Sequence, residues 1–192
     1  MSRLFVAACL AVLFAAGSTR ALEKIEVGKP APNFQATTFN GQKVSLADYR
    51  GQVLIINYWA TWCGPCRKEM PLLDSYLRQQ GARGLKVLAV TDENSLPLSR
   101  LKPLSKVVAL DMAWRFRGAY DAPREFPTNY VIGRDGVVRY SRAGAFDLDT
   151  LNSVIVPLLN QPPPPPLASR SPASSTAPDM ADALSEARSS GP

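Results

Sequence analysis

Val53-Leu54-Ile55-Ile56-Asn57-Tyr58-Trp59 is a near-continuous apolar run rich in branched residues, the pattern of a central strand covered on both faces. A stretch of helical period follows from about Gly64 to Gln80, with Met70, Leu73, Tyr76 and Leu77 on one face and an end near Gly81 and Gly84. Leu85 to Val90 is a second buried strand. A strand, a helix and a strand in that order predict a right-handed parallel crossover. Upstream, Phe34 to Thr38 and Gln42 to Leu46 flank Phe39-Asn40-Gly41, where the Asn-Gly step favours a hairpin turn. Ser45 is placed to cap a short helix over Leu46 to Tyr49, closed by Gly51. Downstream, Pro97 and Pro103 break up residues 92–125, within which the pattern predicts a helix over Met112 to Tyr120. Thr128 to Ile132 and Val137 to Tyr140 bracket Gly133-Arg134-Asp135-Gly136, an antiparallel hairpin signal. Leu148, Leu151, Val154 and Ile155 mark a last amphipathic helix, expected to be curtailed by Pro157. The class is α/β, a mixed central sheet flanked by helices with an N-terminal β-hairpin.

The ends read differently. Met1-Ser2-Arg3 followed by an uncharged apolar stretch from Leu4 to Ala16 and small residues up to Ala21 has the form of an export signal over residues 1–21. The stretch is shorter than the ~20 residues that cross a bilayer. Retention as an uncleaved anchor is the alternative to cleavage. Val6-Ala7-Ala8-Cys9 resembles a bacterial lipobox, but the apolar run continues past Cys9, which reads as a small residue in a discarded signal. Residues 22–160 form one domain. From Gln161 the composition turns to a run of prolines and then to Ser, Ala and Pro, a Pro-rich tail over 161–192 that is expected to be an extended, disordered spacer.

Without Cys9, two of the three cysteines remain, Cys63 and Cys66. A structural disulfide framework uses more cysteines at wider spacing, and so small a loop constrains little of the unfolded chain. The chain has no histidine. That excludes His-based zinc ligation, a Cys-His dyad and a Ser-His-Asp triad, and Arg67 after Cys66 excludes Cys-x-x-Cys-His haem attachment. A zinc site needs two more thiolates than the chain supplies, so no metal is expected. The formal charge of +6 is scattered rather than gathered in a stripe, which argues against nucleic acid as a partner.

What a Cys-x-x-Cys pair at a helix start does suit is disulfide exchange. That chemistry needs an accessible, stabilised thiolate and a second thiol to resolve the mixed disulfide. Cys63 would sit where orphan N–H groups and the helix dipole lower a thiol pKa, and Cys66, one turn further in, would be more buried and act second. Pro65 suits the first helical turn. Arg67 adds a positive charge nearby or is simply a solvated helix residue.

Trp62-Cys63-Gly64-Pro65-Cys66 resembles the active-site sequence of thioredoxins. The longer string from Asn57 through Glu69 to Pro71 is similar to the exported TlpA/ResA/DsbE branch of that superfamily, as are Gly28-Lys-Pro-Ala-Pro-Asn-Phe34, Phe126-Pro127-Thr128 and the Arg134-Asp-Gly136 turn. The resemblance covers about residues 27–156. It implies a thioredoxin-like fold with an insertion after the second parallel strand, and a thiol-disulfide oxidoreductase that needs no cofactor beyond a redox-active Cys63–Cys66 disulfide. It implies that Pro127 is a cis-proline facing the dithiol, that the backbone of Phe126 pairs with substrate, and that Trp62, Gly64 and Pro65 complete the substrate surface. Asn57 stands where cytosolic thioredoxins carry a buried aspartate, so a proton relay to Cys66 would have to come from elsewhere. Glu69 matches a carboxylate that the ResA-like branch places near its dithiol, and one helical turn separates it from Cys66. A solvated helix glutamate is the alternative. The resemblance further implies a periplasmic reductase of protein disulfides, such as those of apocytochromes c or copper-site proteins, recharged by a membrane thiol donor.

Two rivals stand beside this. A peroxiredoxin-like thiol peroxidase has a similar lead-in and first strand, but its Thr-x-x-Cys pattern is not matched by Thr61 and Cys63. A non-catalytic thioredoxin-fold binding protein would need neither cysteine.

Overall fold

The computed structural model describes residues 25–91, 97–120 and 125–164. The segment expected to be an export signal, Cys9 and the tail beyond Pro164 lie outside the described residues. The elements in chain order are β1 (Phe34–Thr38), β2 (Lys43–Ser45), β3 (Val53–Trp59), α1 (Gly64–Gln80), β4 (Leu85–Thr91), α2 (Leu98–Leu101), β5 (Asp111–Gly118), β6 (Thr128–Ile132), β7 (Val138–Ala143) and α3 (Leu148–Leu159), with a 3-10 turn at Leu46–Tyr49. They build a seven-stranded sheet in the order β2-β1-β5-β4-β3-β6-β7. β3, β4 and β5 run parallel, while β1, β6 and the two edge strands complete the sheet in antiparallel pairs.

The apolar run of β3 is the reason it sits inside the sheet: all its residues are buried. Its period of two divides them between two cores. Val53 and Ile55 meet Leu73 and Leu77 of α1 and Leu151 and Ile155 of α3 on one face. Leu54, Ile56 and Tyr58 meet Phe34, Tyr120 and Tyr130 on the other. Asn57 therefore points to the face covered by helices, the one polar side chain of β3.

Two expectations are corrected. Met112 to Tyr120 is not a helix; most of it is β5, parallel to β4 and antiparallel to β1. A bulge against β1 falls between Trp114 and Arg117, so the two aromatics part company: Trp114 packs on the core that α1 shares and Phe116 on the opposite one. The segment after the second parallel strand thus contributes α2 and then a sheet strand. Pro157 does not end α3 either, since the helix runs on to Leu159. Leu158 and Leu159 are buried in the core that α1 shares, and that packing outweighs the one backbone hydrogen bond that a proline forfeits.

Antiparallel pairing fixes the poles of the domain. Thr128 of β6 lies opposite Tyr58, while Ile132 lies opposite Leu54. The Gly133–Gly136 turn is thus at the end of β3 remote from the cysteines. The lead-in joins at that remote end: Pro30 bridges Val137, and Gly28 N–H donates to Val138 O over 2.8 Å. The Arg134 guanidinium in the same turn donates to Gly51 O (2.8 Å) and to Leu159 O (3.4 Å), which brings the end of α3 there too. Gly84 makes room for it, with φ at 93° and a position where a Cβ would lie 2.8 Å from Arg134 Nη1.

Candidate active site

β3 ends at Trp59, and the chain turns once before α1 begins at Gly64, so the end of a buried strand delivers Cys63 to the helix N-terminus. Cys63 is the N-cap. Its φ and ψ of −78° and 107° are extended, and its Sγ accepts from Cys66 N–H at 3.2 Å. A helix leaves its first N–H groups without backbone partners, and their partial positive charge favours negative charge on a sulfur placed there. Gly64 and Pro65 occupy the first two helical positions, where a missing N–H forfeits nothing. Cys63 and Cys66 are joined in a disulfide, with Cα atoms 5.3 Å apart. Cys66 is fully buried and Cys63 retains 4% exposure, so an incoming group meets Cys63 first. Cys63 is thus more enclosed than the sequence suggested for the attacking sulfur, whereas Cys66 is the more buried of the two, as expected.

Around this disulfide the predicted groove residues come together in part. Trp62 is 58% exposed, and its ring meets that of Phe126 edge-on with centroids 5.4 Å apart. Phe126 packs against both cores. The Phe126–Pro127 peptide is cis, the isomer that the resemblance implies, and Pro127 O accepts from Gly144 N–H at 2.8 Å. Arg67 is exposed on α1.

Glu69 is not a solvated helix residue. It is 2% exposed and turns inward from α1. Its Oε2 accepts from Asn57 Nδ2 of β3 (2.9 Å), and its Oε1 accepts from Asn129 Nδ2 of β6 (2.7 Å) and from Phe146 N–H just before α3 (2.6 Å). Asn57 and Asn129 are opposite one another in the β3–β6 register and are linked directly, Asn57 Nδ2 donating to Asn129 Oδ1 at 2.8 Å. Asn129 and the Phe146 amide were not foreseen. The available signal was a second asparagine, the second residue of a five-residue buried strand, where a polar side chain needs a partner.

Burial pushes the Glu69 carboxyl above the ordinary carboxylate range, and the Phe146, Asn129 and Asn57 donors pull it part of the way back. A carboxyl that holds its proton more tightly folded than unfolded stabilises the fold fully below its unfolded pKa. That stability is lost as pH rises through the raised folded value. Urea unfolding of the oxidised protein between about pH 4 and pH 8 is expected to show a decline in stability with rising pH that Glu69→Gln lacks. Parallel pH profiles for the two proteins would exclude it.

Among the described residues no group of three or more metal-ligating side chains converges, and no helix is long and apolar enough to cross a membrane. Residues 27–141 match the model of the AhpC/TSA family, more than half of the chain. The chain belongs to the AhpC/TSA family. It is 34% identical over 120 residues to the thiol-disulfide oxidoreductase ResA of Bacillus cereus, covering 60% of this chain and 69% of the relative. It is 31% identical over 127 residues to the thioredoxin-like protein YneN of Bacillus subtilis, covering 62% and 73%. A crystal structure from Chlorobium tepidum described as a thiol:disulfide interchange protein DsbE matches with a TM-score of 0.60 and 26% identity, over 71% of this chain and 99% of that one. This member of the AhpC/TSA family is therefore a thiol-disulfide oxidoreductase of the ResA and DsbE type with a thioredoxin-like fold.

Proposed function

We propose that the protein reduces disulfides of other proteins in an exported, oxidising compartment, with Cys63 and Cys66 as its dithiol. The observation that carries this is the position of Cys63: a helix N-cap, adjacent in sequence to the exposed Trp62, with its partner sulfur fully buried one turn on. In the reduced protein the Cys63 thiolate attacks one sulfur of a substrate disulfide. A mixed disulfide forms and one substrate thiolate leaves. Cys66 then loses its proton and attacks Cys63 Sγ, which frees the second substrate thiolate and leaves the enzyme oxidised as Cys63–Cys66. Two electrons pass to the substrate, and a dithiol donor restores the enzyme by the reverse exchange. A membrane thiol protein fits that role, and apocytochromes c or copper-site proteins fit the role of substrate. Trp62, Gly64 and Pro65 form one wall of the substrate surface, and the cis Phe126–Pro127 segment forms the other, where an extended peptide pairs with Phe126 as an added strand. Glu69 tunes the proton affinity of the pair. Glu69→Gln is expected to move the thiol titration and slow exchange; an unchanged titration and rate would remove Glu69 from the mechanism.

The equilibrium reduction potential of Cys63/Cys66 tests the direction of electron flow. Residues 22–192, equilibrated in dithiothreitol or glutathione buffers, are expected to poise near the thioredoxin value of about −270 mV or below. A value near about −120 mV, where the strong oxidant DsbA lies, would make the protein an oxidant and refute the reductase assignment.

A further inference from the structure

The hydrogen bonds around Glu69 have a direction that two backbone groups impose. Gly144 O accepts from the Asn129 side chain at 3.0 Å. A carbonyl oxygen only accepts, so the Asn129 atom facing it is Nδ2, and the same Nδ2 faces Glu69 Oε1. The other end of the Asn129 amide is then Oδ1, and it faces Asn57. Whatever meets Oδ1 has to donate, so the Asn57 atom there is Nδ2, and that Nδ2 faces Glu69 Oε2 as well. The amide of Phe146 is a donor by its chemistry. Among the described residues every hydrogen bond to the carboxylate therefore comes from an N–H, and neither asparagine can turn over without setting oxygen against oxygen. Asn57 Oδ1 is buried and has no hydrogen-bond partner among the described residues, as expected of an amide whose orientation is dictated from its other end. Gly144 is itself held, since its N–H donates to Pro127 O.

We propose that Asn129 is a positioning residue that, fixed by the Gly144 carbonyl, holds Glu69 in donor-only surroundings and so links the cis-proline segment to this carboxylate. The link to exchange chemistry rests on the role given to Glu69 above; the imposed direction does not. The other charged or titratable groups around Glu69 are few. The Tyr140 phenol on β7 feels its charge and that of Asp147 at the start of α3, Arg142 lies beside Tyr140, and Cys63 and Cys66 are tied up in the oxidised protein.

The experiment is a pH titration of the oxidised full-length protein, with the Glu69 carboxyl read by carbon-13 NMR and by its infrared carbonyl band. In the unmodified protein the side-chain NH2 signals of Asn57 and Asn129 and the Phe146 amide should move together with the Glu69 carboxyl, at one midpoint. In Asn129→Asp, which keeps the shape but replaces the donor by an oxygen, that midpoint should rise by about one pH unit or more, given the usual strength of a hydrogen bond to a charged group. Asn129→Ala should give a rise in the same direction. An unmoved midpoint in a folded variant, or asparagine signals that ignore the titration in the unmodified protein, overturns the proposal. If neither variant folds, the unmodified titration decides alone. The reduced proteins are then titrated at Cys63. A shift of the thiol along with the carboxyl supports both Asn129 and Glu69 in their assigned roles. A shift of the carboxyl alone upholds Asn129 as the residue that fixes Glu69 and refutes the tuning of the dithiol.

Discussion

Cys66→Ser, reduced and given a disulfide-bonded substrate protein, accumulates as a covalent adduct through Cys63 and stops after one event per molecule. The reason lies in the order of the two displacements. Cys63 caps α1 with its sulfur at the unpaired N–H groups and keeps a sliver of surface, so it performs the first attack unaided. The second attack requires a thiol one helical turn away, and serine there does not supply one. Cys63→Ser gives the opposite phenotype, with no adduct and exchange at the level of free thiols, because the remaining sulfur is fully buried beneath the turn. Non-reducing gels with mass spectrometry separate the two outcomes. Adducts forming equally on Cys66 in Cys63→Ser would mean that the roles are reversed or shared.

Glu69→Leu costs about 3 kcal/mol of folding stability or more. It leaves the Phe146 amide without its acceptor and removes one partner each from the Asn57 and Asn129 side chains, in a place that water does not reach. A buried donor stripped of its partner typically costs about 1–3 kcal/mol, and leucine recovers part of that by apolar burial. Glu69→Gln costs less, since its oxygen still serves two donors and its NH2 conflicts only with Asn57. Chemical denaturation of the oxidised proteins at neutral pH measures the difference. If Glu69→Leu were as stable as the unmodified protein, the network would contribute nothing to folding, and the buried carboxylate would be explained by the chemistry of the dithiol alone.

Much of this was visible in the chain because local and long-range signals agree. β3 is unbroken and apolar, α1 has its aromatic and aliphatic stripe, and the two cysteines fall at the junction, so strand, helix and dithiol follow from one short stretch. The β6–β7 hairpin was readable from its glycine-bounded turn. β5 was misread because Met112, Phe116 and Tyr120 recur at four-residue steps, a helical spacing, while a bulge breaks the strand's own alternation, and only pairing with β1 and β4 reveals the strand. The environment of Glu69 was illegible for another reason. Its partners come from β3, β6 and the approach to α3, which are remote in sequence and share no motif. The burial of Asn57 and Asn129 on one face depends on a register that the sequence states only as two asparagines in apolar company.

The lead-in strand contact at Pro30 and the end of α3 at Leu159 meet beside the Gly133–Gly136 turn, a full strand length from the cysteines. β3 separates the two regions by seven residues, or about 20 Å. A support fastened to either end of the described domain therefore meets it from behind, leaving the disulfide and the Trp62–Phe126 wall on the open side. Attachment through either end would then not compete with the proposed recognition for the same surface, and a protein partner would have room to settle over Cys63.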